Sequence, residues 1–143
     1  MSHGETILIL DFGSQFTQLI ARRVRELQVY CEIHPYNMSI DKIRALQPKG
    51  IILSGGPSSV YEDGAPHPDR TIFDLGIPVL GVCYGMQVMA YFLGGAVDKA
   101  AHREFGRAEI RITDHDDLFN TFPKETTVWQ SHGDRLEKIP DGF

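Results

Sequence analysis

Thr6–Leu10 reads Thr-Ile-Leu-Ile-Leu and Ile51–Leu53 reads Ile-Ile-Leu, and neither run alternates apolar with polar residues. A strand wetted on one face alternates; a strand covered on both faces does not, and two-sided cover marks a parallel sheet flanked by helices. The segments between supply that cover. Over Gln15–Leu27, Phe16, Leu19, Ile20, Val24 and Leu27 fall at helical spacing and are expected inward, with Arg22, Arg23, Arg25 and Glu26 on the wet side. Ser14 stands where an N-cap belongs, in the turn Asp11-Phe12-Gly13-Ser14. Val29–Ile33 is expected as a second strand. Ser39–Leu46 is expected as a short helix with Ile40, Ile43 and Leu46 inward, stopped by Gln47-Pro48-Lys49-Gly50. This β-α-β-α-β order predicts a doubly wound, mostly parallel α/β sheet with right-handed crossovers. Such sheets collect ligands beyond the carboxyl ends of their strands.

A fourth strand, Val79–Val82, opens on Pro78 and runs into Gly81-Val82-Cys83-Tyr84-Gly85, after which Met86–Leu93 reads as a helix closed by Gly94-Gly95. Glycines two residues to either side of one cysteine, on a strand-to-helix turn, have the spacing of a nucleophile elbow with cysteine in the serine slot. The turn is strained, and a Cβ two positions away would collide with it. A nucleophile at a helix N-terminus also meets a field that favours thiolate over thiol. Cys83 is therefore the candidate nucleophile, against the alternative of a buried packing cysteine. Cys31, inside an apolar strand, takes that packing role.

Ser54-Gly55-Gly56-Pro57 follows the third strand, on the same edge as Cys83. It lacks the lysine and the spacing of a Walker loop and the Asp-Ser of a pyrophosphatase loop. Beside an elbow cysteine it reads as backbone offered to an oxyanion. Ser58–Arg70 is loop-like, Thr71–Leu75 a short helix, and Ala96–Lys99 a further strand. Strict alternation over Arg107–Thr113 predicts a strand with one wet side, in a small antiparallel sheet. Thr126–Gln130 and Arg135–Ile139 are expected as strands joined by the turn Ser131-His132-Gly133-Asp134.

The 143 residues are one domain's length, and a net charge of −5 leaves no basic footprint for nucleic acid. No apolar run reaches membrane-spanning length and no charged-then-apolar leader opens the chain, so the cytoplasm is the expected compartment. Two cysteines make no disulfide framework, and no ligand spacing suggests a metal. A cysteine nucleophile in acyl transfer needs a base, usually an oriented histidine. Of the six histidines only His132 is placed like a site residue, and nothing in the residues sets it beside Cys83.

Leu53-Ser-Gly-Gly-Pro57, Gly81-Val-Cys-Tyr-Gly-Met-Gln87 and Ser131-His-Gly-Asp134 together resemble the successive signatures of class I (triad-type) glutamine amidotransferases. Asp11-Phe-Gly-Ser-Gln, Ala21-Arg-Arg-Val-Arg-Glu-Leu27 and Arg103-Glu-Phe-Gly106 narrow the resemblance to members that serve purine nucleotide synthesis. The likeness runs from Ile7 to Phe143 and implies a flavodoxin-like fold and one amidotransferase domain over residues 1–143. It implies hydrolysis of glutamine through a thioester on Cys83, with the N–H groups of Gly56 and Tyr84 as the oxyanion hole. Gln87 would bind the substrate, and Ser131, His132, Gly133 and Asp134 would hold its amino-acid end. It implies no cofactor in this domain. Ammonia would pass to a synthetase partner of the ATP-pyrophosphatase type, which uses ATP and magnesium on xanthosine monophosphate (XMP), within a homodimer. The family's base and its orienting carboxylate belong to a His-x-Glu motif that these residues do not include. The 143 residues are thus expected to be a fragment, and a poor glutaminase alone. The alternatives are an amidotransferase of another pathway and a docking or regulatory module with a dead site.

Overall fold

A computed structural model of the chain describes residues 4–143, apart from the side chains of 99–105 and 131–134. Two compact units divide it, residues 1–97 with 136–143 and residues 98–135.

The first unit contains a four-stranded parallel sheet in the order β2-β1-β3-β4, made by β1 (Thr6–Asp11), β2 (Tyr30–Pro35), β3 (Gly50–Leu53) and β4 (Val79–Gly81). Ile7 pairs with both Cys31 and Gly50, and Leu53 pairs with Gly81. Helices α1 (Thr17–Glu26), α2 (Ile40–Leu46) and α3 (Tyr84–Leu93) connect or follow these strands. Two apolar clusters account for the missing alternation in β1. Leu8 and Leu10 pack with Ile43, Ile51, Leu53 and Val88, whereas Ile9 packs with Ala21 and Cys31. Successive side chains of one strand thus enter different cores, so both must be apolar.

The expected helix over Gln15–Leu27 is shorter, and its inward face differs. Thr17 and Ala21 are buried, with Ile20 and Val24 against the core, a stripe at helical spacing. Phe16, Leu19 and Leu27 are exposed at 61%, 41% and 77%. Phe16 and Leu27 are the capping positions, outside the helix proper, and Leu19 lies about 150° from the centre of the buried stripe. Ser14 is not the N-cap; its Oγ accepts the Phe16 N–H at 2.9 Å, one turn early. Ser39 does cap α2, accepting from the Lys42 N–H at 3.3 Å. Arg70–Asp74 forms a 3₁₀ turn in place of the expected short helix. Cys31 is fully buried, with Sγ 3.5 Å from the Ala21 carbonyl, in its expected packing role.

Strands β5 (Ala96–Arg111) and β6 (Glu125–Lys138) form a two-stranded sheet, most of which lies in the second unit. Each replaces two expected strands. In β5, Arg107, Glu109 and Arg111 are exposed as the alternation predicts, and Arg111 lies 3.7 Å from Glu125. The expected turn at Ser131–Asp134 falls within the bounds of β6, and its side chains lie outside the described residues. Among the described residues no helix is long and apolar enough to cross a membrane.

Candidate active site

Val82 and Cys83 link β4 to α3; Cys83, the N-cap position of the helix, has φ 52° and ψ −112° and is exposed. A non-glycine residue with positive φ is strained by about 1–3 kcal/mol and persists only where its surroundings impose it. Here they do. A Cβ on Gly81 would stand 2.7 Å from the Met86 nitrogen, and one on Gly85 would run into the Leu53 carbonyl. The strand and the helix therefore approach too closely for any side chain at either position, and the residue between them is left to turn the corner. The Val82 N–H donates to the Leu53 carbonyl at 3.0 Å and the Gly85 N–H to the Ser54 carbonyl at 3.1 Å. These bonds carry the β3–β4 pairing past the strand ends and pin the elbow to the loop after β3.

That loop is rigid for a second reason. Ser54 is fully buried; its Oγ accepts the Phe12 N–H at 3.1 Å and donates to the Gly55 carbonyl at 3.1 Å. The loops after β1, β3 and β4 thus meet at one end of the sheet, where β1 and β3 form the topological switch point. An ideal Cβ on Gly55 would lie 3.3 Å from the Cys83 Cβ and 3.6 Å from the Ser14 Oγ, so all three residues crowd one spot. Among the described residues, neither the Gly56 N–H nor the Tyr84 N–H donates a hydrogen bond.

Gln87 follows Cys83 by one helical turn and is 5% exposed. Its Oε1 is buried without a hydrogen-bond partner. Buried polar atoms are rarely left unpaired, and an exception at a site asks for a ligand donor. The structure brings Cys83, Gly56, Tyr84 and Gln87 into one unit. Ser131, His132, Gly133 and Asp134 belong to the other unit, with side chains outside the described residues. Among the described residues no histidine hydrogen-bonds Cys83: His34 Nε2 is 3.1 Å from Glu32 Oε1, and His67 Nε2 donates to the Val60 carbonyl at 2.9 Å.

Sequence reasoning misses two neighbours of the elbow: Ser14, expected as a cap, and the Tyr84 side chain, to which no motif gives a role. Tyr84 is 1% exposed, and its hydroxyl donates to the Pro66 carbonyl at 2.8 Å. A tyrosine among the apolar residues of α3 was the available signal, since a buried phenol needs an acceptor. Burial pushes this phenol from its ordinary 10.0 up to about 12, with the charge of Glu62 and then Tyr36 adding to the effect. The folded chain therefore holds a proton that the unfolded chain releases between those values. That stabilisation is complete below pH 10 and is lost as the pH climbs toward 12. Urea midpoints at pH 9 and pH 11 are expected to fall further for the unmodified protein than for Tyr84→Phe; equal falls would contradict the assignment.

The sequence model of the family described as "Glutamine amidotransferase class-I" matches residues 8–143. The chain belongs to the class I glutamine amidotransferase family. A curated relative from Brachyspira hyodysenteriae, named GMP synthase [glutamine-hydrolyzing], is 60% identical over 97% of this chain. One of the same name from Desulfotalea psychrophila is 59% identical over 99%. This amidotransferase chain spans 27% and 28% of those two relatives' lengths. It also resembles a crystal structure described as a GMP synthase subunit from Thermoplasma acidophilum. There the TM-score is 0.82 at 33% identity, covering 99% of this chain and 71% of that one. A glutamine amidotransferase from Thermotoga maritima shares the fold at a TM-score of 0.73 and 20% identity, covering 96% of this chain and 64% of that one. The expected α/β architecture is thus that of the family.

Proposed function

We propose that this chain is the glutamine-hydrolysing part of a GMP synthase and that Cys83 is its nucleophile. The observation that carries the reading is an exposed cysteine held at positive φ and packed against Gly55, flanked in sequence by Tyr84 and faced by the loop that bears Gly56, whose two N–H groups donate no hydrogen bond in the described structure. Sγ, as thiolate, adds to the side-chain carboxamide carbon of glutamine. The negative charge that develops on oxygen is stabilised by hydrogen bonds donated to it by the N–H groups of Gly56 and Tyr84. Collapse of that adduct breaks the C–N bond, the nitrogen takes a proton and leaves as ammonia, and a glutamyl thioester remains on Cys83. Water then hydrolyses the thioester to glutamate and restores the thiol. Gln87 Oε1 has an open lone pair for a substrate N–H donor.

The proton steps call for a base and an orienting carboxylate, the role of the family's His-x-Glu motif. Ser131, His132, Gly133 and Asp134 are assigned to the amino-acid end of glutamine. Ammonia goes to a synthetase that activates XMP, in the same or a separate chain and within a homodimer, in the cytoplasm. ATP and magnesium belong to that partner. The Ser54–Pro57 loop offers no lysine to a nucleotide, so these residues are not assigned to it.

The names of the relatives support this substrate choice over other amidotransferase pathways. A glutamine-like electrophile tests the site. In the full-length protein, Cys83→Ala is expected to abolish covalent labelling, whereas Cys31→Ala leaves it intact because that sulfur is fully buried. Equal labelling of the two variants would end the reading.

A further inference from the structure

Tyr84 carries one of the two N–H groups assigned to the oxyanion, neither of which donates a hydrogen bond among the described residues, and its own side chain is fully buried and hydrogen-bonded. The ring packs on Phe12 at a centroid distance of 5.4 Å, and the hydroxyl donates to Pro66 at 2.8 Å. Phe12 is tied by its N–H to Ser54 Oγ, and the Ser54 carbonyl accepts the Gly85 N–H, closing a circuit around the elbow. The segment bearing Pro66 is anchored in turn at the far end of α3. The His67 ring lies 5.0 Å from Tyr91 and 5.5 Å from Phe92, and Tyr61 stands edge-on to Tyr91 at 5.6 Å. One irregular strap thus braces both ends of the helix that follows the cysteine.

We propose that the Tyr84 side chain is a positioning residue, whose bond to the Pro66 carbonyl fixes the first turn of α3 and hence the direction of the Tyr84 N–H toward the oxyanion. This rests on the reading of Cys83 given above. Packing alone does not account for the hydroxyl, because phenylalanine would fill the same volume. The hydroxyl adds a directional constraint that a ring in an apolar pocket lacks. A donor preset toward developing negative charge loses value steeply when misaimed. Deleting one outright reduces kcat about 10²–10³-fold, so tilting one is expected to reduce it about tenfold.

The test uses the full-length protein with its active sites counted by the glutamine-like electrophile. Tyr84→Phe is expected to reduce kcat per counted site about tenfold while KM for glutamine changes less than about twofold. A merely structural role would reduce the number of labelled sites and leave kcat per site unchanged, and that result would overturn the proposal. A loss confined to KM would overturn it as well. Should Tyr84→Phe fail to fold, Pro66→Gly loosens the acceptor without touching α3. It is expected to lower kcat per site about threefold, and no change would be equally fatal. Absence of label from Cys83 in the unmodified protein would remove the reading of the site, and this proposal with it.

Discussion

In the full-length protein, Cys83→Gly is expected to reduce glutamine hydrolysis by a factor on the order of 10⁴ or more and yet to raise resistance to unfolding. The two effects have one source. In the proposed mechanism the thioester forms on this sulfur, so its loss removes the step rather than weakening it. The backbone beneath it is held at φ 52° and ψ −112°, which an L side chain resists. Glycine relieves strain of about 1–3 kcal/mol there and gives back about 0.5–1 kcal/mol through its freer unfolded chain. A net gain of about 1 kcal/mol follows. Cys83→Ala serves as the control, equally inactive but still strained. Ammonia release and urea midpoints measure both quantities. A glycine variant no more stable than the alanine variant would show that the turn stores no strain.

Gly85→Ala is expected to destabilise the fold by about 3 kcal/mol or more, the upper end for forced overpacking. The new methyl would run into the Leu53 carbonyl and stand 2.6 Å from the Leu53 Cβ. Leu53 is fully buried in β3, and its carbonyl already accepts the Val82 N–H at 3.0 Å. Neither atom is the free end of a flexible side chain, so α3 must lift from the sheet or the ladder bond must break. Either movement disturbs the elbow, and electrophile labelling of Cys83 is expected to fall together with stability. A loss below about 1 kcal/mol in urea unfolding would mean that strand and helix are less closely packed than described.

Much of this architecture was legible because it follows from short-range rules. The lack of alternation in Thr6–Leu10 implied two-sided burial, and Leu8 and Ile9 do enter opposite cores. The glycine spacing around Cys83 implied a tight strand-to-helix turn, and the turn has the positive φ that such a path requires. The failures lie where local pattern gives no unique answer. Phe16, Leu19 and Leu27 fit a helical stripe as well as Ile20 and Val24 do; which stripe faces the sheet depends on where α1 starts and how it docks. Ser14 had the right residue type for a cap, but the chain makes one more turn before the helix begins.

The sequence by itself determined the parallel α/β order and the corner on which Cys83 stands, because apolar periodicity and glycine spacing are properties of neighbouring residues. The family came from the resemblance of its ordered motifs, which the family match over residues 8–143 bears out. Only the tertiary structure decided what surrounds that corner. That Ser54 ties the β1 loop to the β3 loop, that Gln87 buries an unpaired oxygen, and that Tyr84 reaches back to Pro66 are contacts between distant segments. No spacing encodes them; they arise when several strand ends are brought to one edge and each buried polar atom either finds a partner there or does not.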